Sequence, residues 1–162
     1  MKKKWILPII AVVMAIVAVL VIVLIPRRTN QTSAPVVLTE TDGNILIRTA
    51  SLSSDQISFL RLENSRIELL ARLGDDGKTK VALGTCQSCN GAPGAYYTQQ
   101  GNVLQCNNCG LTFPLSVLDS PGGGCHPIMI DASLIRETQD GLILNAAGLL
   151  QYEDLFRKVA AH

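Results

Sequence analysis

The sequence predicts a mainly β domain of the α+β class, preceded by an N-terminal transmembrane helix and closed by one C-terminal helix. Residues 5–25 carry no charged side chain, residues 36–144 contain short β-rich runs between turn signals, and apolar residues after position 149 recur at helical spacing. A chain of 162 residues has room for one such domain.

The N-terminal segment has the composition of a membrane anchor. Trp5–Ile25 is 21 residues without a charge, and a helix of that length reaches about 31 Å, enough to cross a bilayer. No small-residue cleavage site follows it, so an uncleaved anchor is favoured over a signal peptide. Three lysines precede the segment and two arginines follow it, which predicts a cytoplasmic N-terminus.

These features predict a single-pass protein of the cell membrane. Residues 1–28 form the anchor, residues 29–35 a polar linker, and residues 36–162 an extracytoplasmic domain. Residues 29–162 hold nine basic and 13 acidic side chains, a net charge of −4. Because zinc ribbons that bind nucleic acid generally carry a basic patch, we expect no nucleic-acid partner.

Turn signals divide the domain into short strands. Asp42-Gly43 predicts a hairpin between Val36–Thr39 and Asn44–Ile47. A meander leads to the first cysteine, through Ile57–Leu62, Arg66–Leu73 and Lys78–Leu83. A second hairpin joins Tyr96–Thr98 to Val103–Gln105, and the later strands are Ile128–Asp131, Leu134–Arg136 and Leu142–Leu144. The C-terminal helix should direct its apolar face to the core, through Leu149, Tyr152, Leu155, Phe156 and Val159.

Two Cys-x-x-Cys pairs form the most informative pattern. Cys86 and Cys89 are separated from Cys106 and Cys109 by 16 residues, in the range of a zinc ribbon or a rubredoxin-like site. Two residues between cysteines allow one tight turn to direct both sulfurs to one point. A hairpin that brings a second such turn alongside completes a tetrahedron of thiolates. The alternative is two disulfides or free thiols in an exported protein.

A fifth cysteine follows a glycine-rich loop. Pro121 and three glycines precede Cys125 and His126. Glycines let the backbone approach another group closely, and cysteine and histidine are both metal-ligand types. The sequence therefore predicts a loop that folds over the site, with Cys125 and His126 as candidates for additional ligands. The alternative is a mobile loop with a spare thiol and a surface imidazole.

Four cysteinates suit zinc, a single iron or an iron–sulfur cluster. Zinc in a closed four-cysteine site would be redox-inert and would stabilise the fold, whereas iron would carry an electron. The spacing favours a mononuclear site, since ferredoxin cysteine runs use other intervals. It does not separate zinc from iron.

The cysteine-bearing segment resembles the family of FtrD-like membrane iron–sulfur proteins over residues 40 to 130. The most specific pieces are Cys-Asn-Asn-Cys-Gly at Cys106–Gly110 and the Gly-Gly-Cys-x-Pro pattern ending at Pro127. The resemblance implies an iron–sulfur centre and a role in passing electrons for a ferrous-iron transporter. It implies as cofactor-binding residues Cys86, Cys89, Cys106, Cys109 and Cys125.

The chain departs from that family in three places. Gly84 stands where the family usually has an acidic residue, and His126 stands where it has asparagine. Many members have several transmembrane helices, whereas one is predicted here. A single anchor indicates that electron transfer would need a separate membrane transporter or redox partner protein.

Three functions are compatible with the sequence. The favoured one is a membrane-anchored iron–sulfur or single-iron protein for electron transfer or iron handling. The second is a structural zinc-ribbon subunit of a membrane transporter, and the third is a thiol–disulfide oxidoreductase using one Cys-x-x-Cys. No catalytic acid or base is identifiable, so we do not predict an enzyme.

Overall fold

The computed structural model describes residues 35–120 and 122–160, which form a mainly β domain. Its strands are β1 (Val36–Leu38), β2 (Asn44–Arg48), β3 (Ser58–Leu62), β4 (Glu68–Leu73), β5 (Thr79–Cys86), β6 (Tyr97–Gln100), β7 (Val103–Cys106), β8 (Thr112–Pro114), β9 (Pro127–Met129), β10 (Ile135–Glu137) and β11 (Gly141–Asn145). Short 3₁₀ segments lie at Thr49–Ser51, Leu115–Leu118, Ala132–Leu134 and Leu150–Phe156, and the helix α1 spans Ala146–Leu149.

A five-stranded sheet with the order β1-β3-β4-β5-β9 forms the centre of the domain. The predicted meander is confirmed, because β3, β4 and β5 pair as successive antiparallel neighbours. The turn between β4 and β5 places Gly77 at φ +75°, a conformation that glycine adopts without steric cost. Strand β5 also pairs with β9 on its other side, with a register shift between Leu83 and Cys86.

The predicted hairpin between the first two strands is wrong. The Asp42-Gly43 turn does form, with φ of +50° and +75°, and Thr41 makes an isolated bridge with Asn44. However, β1 pairs in parallel with β3, and β2 pairs with β11 in a separate sheet of order β10-β11-β2. Long-range pairing therefore separates two strands that the local turn signal would have joined.

A third sheet, of order β6-β7-β8, follows the first cysteine pair. The predicted hairpin is confirmed, because β6 and β7 pair from Tyr97 opposite Cys106 to Gln100 opposite Val103. An isolated bridge between Thr85 and Tyr96 joins this sheet to the end of β5. The end of β5 and the end of β7, which carry the first cysteine of each pair, are thereby brought side by side.

The central sheet separates two apolar cores. Val81 and Leu83 of β5 lie in the first core, which the β10-β11-β2 sheet and the C-terminal segment cover. Ala82 and Cys86 lie in the second, together with the buried residues Phe59, Leu70, Tyr97, Leu104, Cys106, Leu115 and Leu118. Because side chains alternate between the two faces of a strand, one face of β5 packs into the first core and the other face into the second.

The C-terminal helix is confirmed, although only one turn of it is α-helical. Asn145 caps α1 by accepting a hydrogen bond from the backbone N–H of Gly148 through its side chain. The chain then continues as 3₁₀ helix, and Leu149 and Phe156 are buried in the first core. Beyond it, the N–H of Ala160 donates to the carbonyl of Pro93, 2.9 Å away, in the loop between the cysteine pairs.

A buried arginine connects the sheet to the chain just before the glycine-rich loop. The guanidinium group of Arg72, on β4, is 3 % exposed and lies 3.1 Å from Asp119 and 2.6 Å from Asp75. Its Nε donates to the carbonyl of Leu73, at 3.1 Å. Each of the three guanidinium nitrogens therefore donates a hydrogen bond, as a buried cation requires.

The predicted membrane anchor, Trp5–Ile25, lies outside the described residues, as does all of the linker except Pro35. Among the helices of residues 35–120 and 122–160, none combines the length and the apolar character needed to span a bilayer.

We expect Arg72→Ala to lower the free energy of unfolding by about 2 kcal/mol. Removal of one partner of a buried ion pair usually costs about 3–5 kcal/mol, but Asp75 and Asp119 keep 79 % and 25 % of their side-chain surface in water. The matched control is Lys78→Ala, which breaks a pair with Glu137 between two largely exposed side chains and should change little. Equal urea midpoints for the two variants would contradict this assignment.

Candidate metal centre

Five cysteines from three segments of the chain meet beside the central sheet. Cys86 and Cys106 end β5 and β7 and are buried, whereas Cys89 and Cys109 lie in the turns that follow. Cys125 comes from the glycine-rich loop. Cys89 and Cys125 are half-buried and Cys109 is exposed. All five are free thiols, so neither Cys-x-x-Cys pair forms a disulfide in this structure.

The sulfurs form two overlapping groups of three. Those of Cys86, Cys89 and Cys106 lie within 4.8 Å of one another, and so do those of Cys89, Cys109 and Cys125. Cys125 lies 4.0 Å from Cys89 and 3.4 Å from Cys109, sulfur to sulfur. Sulfurs bound tetrahedrally at about 2.3 Å from one ion are separated by about 3.8 Å. The spacing therefore fits direct coordination by these residues.

The first turn directs backbone N–H groups at the sulfur of Cys86. Burial is the largest single influence on this thiol and acts to raise its pKa, but N–H groups of Cys89 and Ser88 and the neighbouring thiols lower the pKa overall. The Asn90 side chain closes the turn by donating to the carbonyl of Gln87, 2.6 Å away. The turn therefore stabilises a thiolate with peptide dipoles.

The second turn repeats this arrangement. Burial raises the pKa of the Cys106 thiol to about 12, against hydrogen bonds from the N–H groups of Cys109 and Asn108. The backbone N–H of Leu111 lowers the pKa of the exposed Cys109 thiol to about 7, assisted by the thiol of Cys125. Gly110, at φ +75°, reverses the chain so that its N–H donates to the carbonyl of Cys106.

The glycine-rich loop lies over the first turn. The N–H of Gln87 donates to the carbonyl of His126 and the N–H of Ser88 to that of Gly124, each at 3.0 Å. The His126 ring packs edge-on against Phe113, with centroids 5.0 Å apart. The two groups of sulfurs do not include a His126 nitrogen. Its role as an additional ligand stays a prediction.

The segment that carries the two pairs has no charged side chain. From Val81 to Leu118 there is no Asp, Glu, Lys or Arg, and Asp119, which follows, pairs with Arg72. Uncharged residues form the second core around Cys86 and Cys106, among them Tyr97 and Leu104. The groups of this segment that can offset thiolate charge are therefore uncharged donors, namely backbone N–H groups and the side-chain amide of Asn108 beside Cys89. A bound cation would offset the same charge.

The chemistry of the five sulfur donors determines which metals or clusters the site can bind. Soft thiolate ligands favour zinc, iron and iron–sulfur clusters over the hard cations magnesium and calcium. The five cysteines that the sequence singled out lie together in the structure, but sequence reasoning missed the contact between Tyr97 and the glycine-rich loop. The Tyr97 hydroxyl donates to the carbonyl of Cys125 at 2.5 Å. No sequence pattern signals this bond, since its acceptor is a backbone atom 28 residues away.

Comparison with known proteins identifies a matching protein family. A family model described as "Membrane iron-sulfur containing protein FtrD-like" matches residues 52–156, which is 105 of the 162 residues. No curated protein and no solved structure matches the chain.

We expect Cys106→Ser to abolish stoichiometric metal binding and to leave most of the β structure intact. The central sheet and the first core contain none of the cysteine sulfurs except that of Cys86 at the end of β5. Metal analysis and far-ultraviolet circular dichroism would test this, with Asn102→Ser in the exposed turn of the same hairpin as the control. A fully unfolded Cys106→Ser protein would contradict it.

Proposed function

The chain belongs to the family of FtrD-like membrane iron–sulfur proteins, and we propose that it carries electrons through an iron centre held by its cysteine thiolates. The observation that carries this proposal is the convergence of five sulfurs from three segments into two groups that share Cys89. The centre is a single iron or an iron–sulfur cluster. Its role is electron transfer or iron handling linked to iron transport.

Electrostatics support a bound cation. Two thiolates about 4 Å apart repel each other by roughly 4 kcal/mol at an effective dielectric constant of 20. The segment from Val81 to Leu118 supplies no lysine or arginine to offset this. A soft metal cation bound between the thiolates offsets their repulsion directly. Thiolate clusters of this kind bind zinc or iron for that reason.

The exposure of the thiols suits electron exchange. Cys86 and Cys106 are buried and receive N–H groups from their turns, whereas Cys109 is exposed. Buried ligands and hydrogen bonds to sulfur tune the potential of an iron centre. An exposed ligand gives electrons a short path to a partner. The proposed ligands are Cys86, Cys89, Cys106 and Cys109, with Cys125 as a fifth cofactor-binding thiol and His126 as a further candidate.

A structural zinc site is the second candidate. The β6-β7-β8 sheet with its two cysteine turns would suit a subunit that binds a transporter through a rigid zinc-stabilised unit. A thiol–disulfide oxidoreductase is the third candidate and is less well supported, because one Cys-x-x-Cys would be sufficient for that chemistry.

The membrane position completes the proposal. We propose that residues 1–28 anchor the protein with the N-terminus in the cytoplasm, so that the thiolate centre lies outside the membrane. A one-helix anchor leaves electron delivery to a partner, and the proposed partner is a membrane transporter or a redox protein in the same membrane.

The first test is the metal content of the full chain, purified in detergent without oxygen after iron-replete expression. We expect iron, with sulfur-to-iron charge-transfer absorption that bleaches reversibly on reduction. Acid-labile sulfide distinguishes a cluster from a single iron. One zinc per chain with no visible absorption would refute the electron-transfer proposal in favour of the structural one. Metal-free protein with a reducible disulfide would favour the oxidoreductase.

Reporter fusions test the topology. Alkaline phosphatase fused after His162 should be active and a fluorescent protein at the same position should be dark, because the first matures outside the cytoplasm and the second inside. Lys2→Glu, Lys3→Glu and Lys4→Glu combined should reverse or scramble the orientation, since they remove the basic residues before the anchor. A fluorescent fusion of the unaltered chain would rule out an extracytoplasmic domain.

A further inference from the structure

Tyr97 connects the second core to the glycine-rich loop through a single hydrogen bond. The side chain lies on β6 opposite Cys106 and is fully buried. Its hydroxyl group donates to the carbonyl oxygen of Cys125, 2.5 Å away. A carbonyl oxygen carries no proton, so the Tyr97 hydroxyl is the donor of this bond.

Among the described residues, the loop that carries Cys125 is held by backbone hydrogen bonds, by packing of Cys125 against the second core and by the His126 ring against Phe113. Gly122, Gly123 and Gly124 are exposed and Cys125 is half-buried. Two further hydrogen bonds, from Gln87 and Ser88, hold the carbonyls of His126 and Gly124. Of the three hydrogen bonds to loop carbonyls, the bond from Tyr97 is the one that acts on Cys125 itself, and it is the one made by a side chain. The sulfur of Cys125 also contacts the thiols of Cys89 and Cys109.

We infer that Tyr97 is a positioning residue that fixes the Cys125 thiol beside Cys89 and Cys109. The inference rests on the proposed thiolate centre and extends it, because it assigns the fifth thiol to the centre through its backbone. With the bond in place, the sulfur of Cys125 stays 4.0 Å from that of Cys89 and 3.4 Å from that of Cys109. Without it, the glycines allow the loop to move away from the other sulfurs.

Thiol trapping in the metal-free protein tests the inference independently of any metal. The full chain in detergent is reduced, stripped of metal and treated with iodoacetamide, and alkylation of Cys125 is followed by peptide mass spectrometry. Tyr97→Phe keeps the ring and removes the hydroxyl. We expect Cys125 to react about five-fold faster, the change in population that corresponds to a net hydrogen bond of about 1 kcal/mol.

Tyr152→Phe is the matched control. The Tyr152 hydroxyl also contacts the backbone, accepting from the N–H of Asp131 at 3.1 Å, but its side chain packs against the first core, away from the cysteines. The rate at Cys125 should not change in this variant. Equal rates in Tyr97→Phe and the unaltered protein would overturn the inference, as would an equal increase in the Tyr152→Phe control.

A second pair of variants leaves the core untouched. An added Cβ meets nothing within 4 Å at either Gly123 or Gly124, but Gly124 has φ +74°, which strains any other residue. Gly124→Ala should therefore release Cys125 to alkylation, and Gly123→Ala should not. If Tyr97→Phe fails to fold, the comparison of Gly124→Ala with Gly123→Ala still shows whether the loop conformation fixes the position of Cys125. Equal rates of Cys125 alkylation in these two variants would overturn that conclusion.

The metal-loaded protein supplies the second readout. If the proposed iron centre is correct, Tyr97→Phe should retain its iron but shift the charge-transfer bands and the reduction potential, whereas Tyr152→Phe should leave both unchanged. Unshifted spectra together with unchanged trapping would overturn the positioning role. A protein that binds no iron but shows faster trapping in Tyr97→Phe would refute the proposed function and uphold the placement of Cys125.

Discussion

Strand β5 is the constraint on which the rest of the structure depends. This eight-residue strand pairs with β4 on one side and with β9 on the other, and its alternate side chains enter two different cores. The last of them is Cys86. The first cysteine is therefore the last residue of a largely buried strand. The other sulfurs are positioned by the elements that meet this end of β5, which are the bridge to Tyr96, the β6-β7 hairpin and the glycine-rich loop.

The chemistry around the sulfurs depends on peptide groups in place of charged side chains. Both turns direct N–H groups at the first cysteine of the pair, and the Leu111 N–H does the same at Cys109. A peptide dipole is fixed by the backbone and stabilises a thiolate without a mobile cationic side chain. Because these donors belong to tight turns, the backbone fixes their direction toward the sulfurs. The buried Arg72 acts elsewhere, by holding Asp119 at the start of the loop that brings Cys125.

The sequence correctly predicted pairings between strands that follow one another in the chain. The β3-β4-β5 meander and the β6-β7 hairpin join neighbours in the chain, so their turn residues and apolar runs were sufficient to predict them. The cysteine spacing predicted the two turns for the same reason. The partners of β1 and β2 were not predictable in this way, because β1 joins β3 in parallel and β2 joins β11, and no nearby residue encodes either pairing. Tyr97 lies in the predicted strand Tyr96–Thr98, but its hydroxyl contact depends on a backbone carbonyl that only the fold brings near.

The pairing of β2 with β11 sets an order in which the domain can form. Asn44 pairs with Asn145 and Arg48 with Gly141, so one of the first strands to leave the ribosome has no partner until nearly the whole domain has been made. Contacts between such distant residues carry a large loop-closure entropy and form late. The five cysteines, by contrast, all lie between Cys86 and Cys125. A nascent chain could therefore assemble its thiolate site while the first core is still open, and the exposed apolar face of β2 would need protection during that interval.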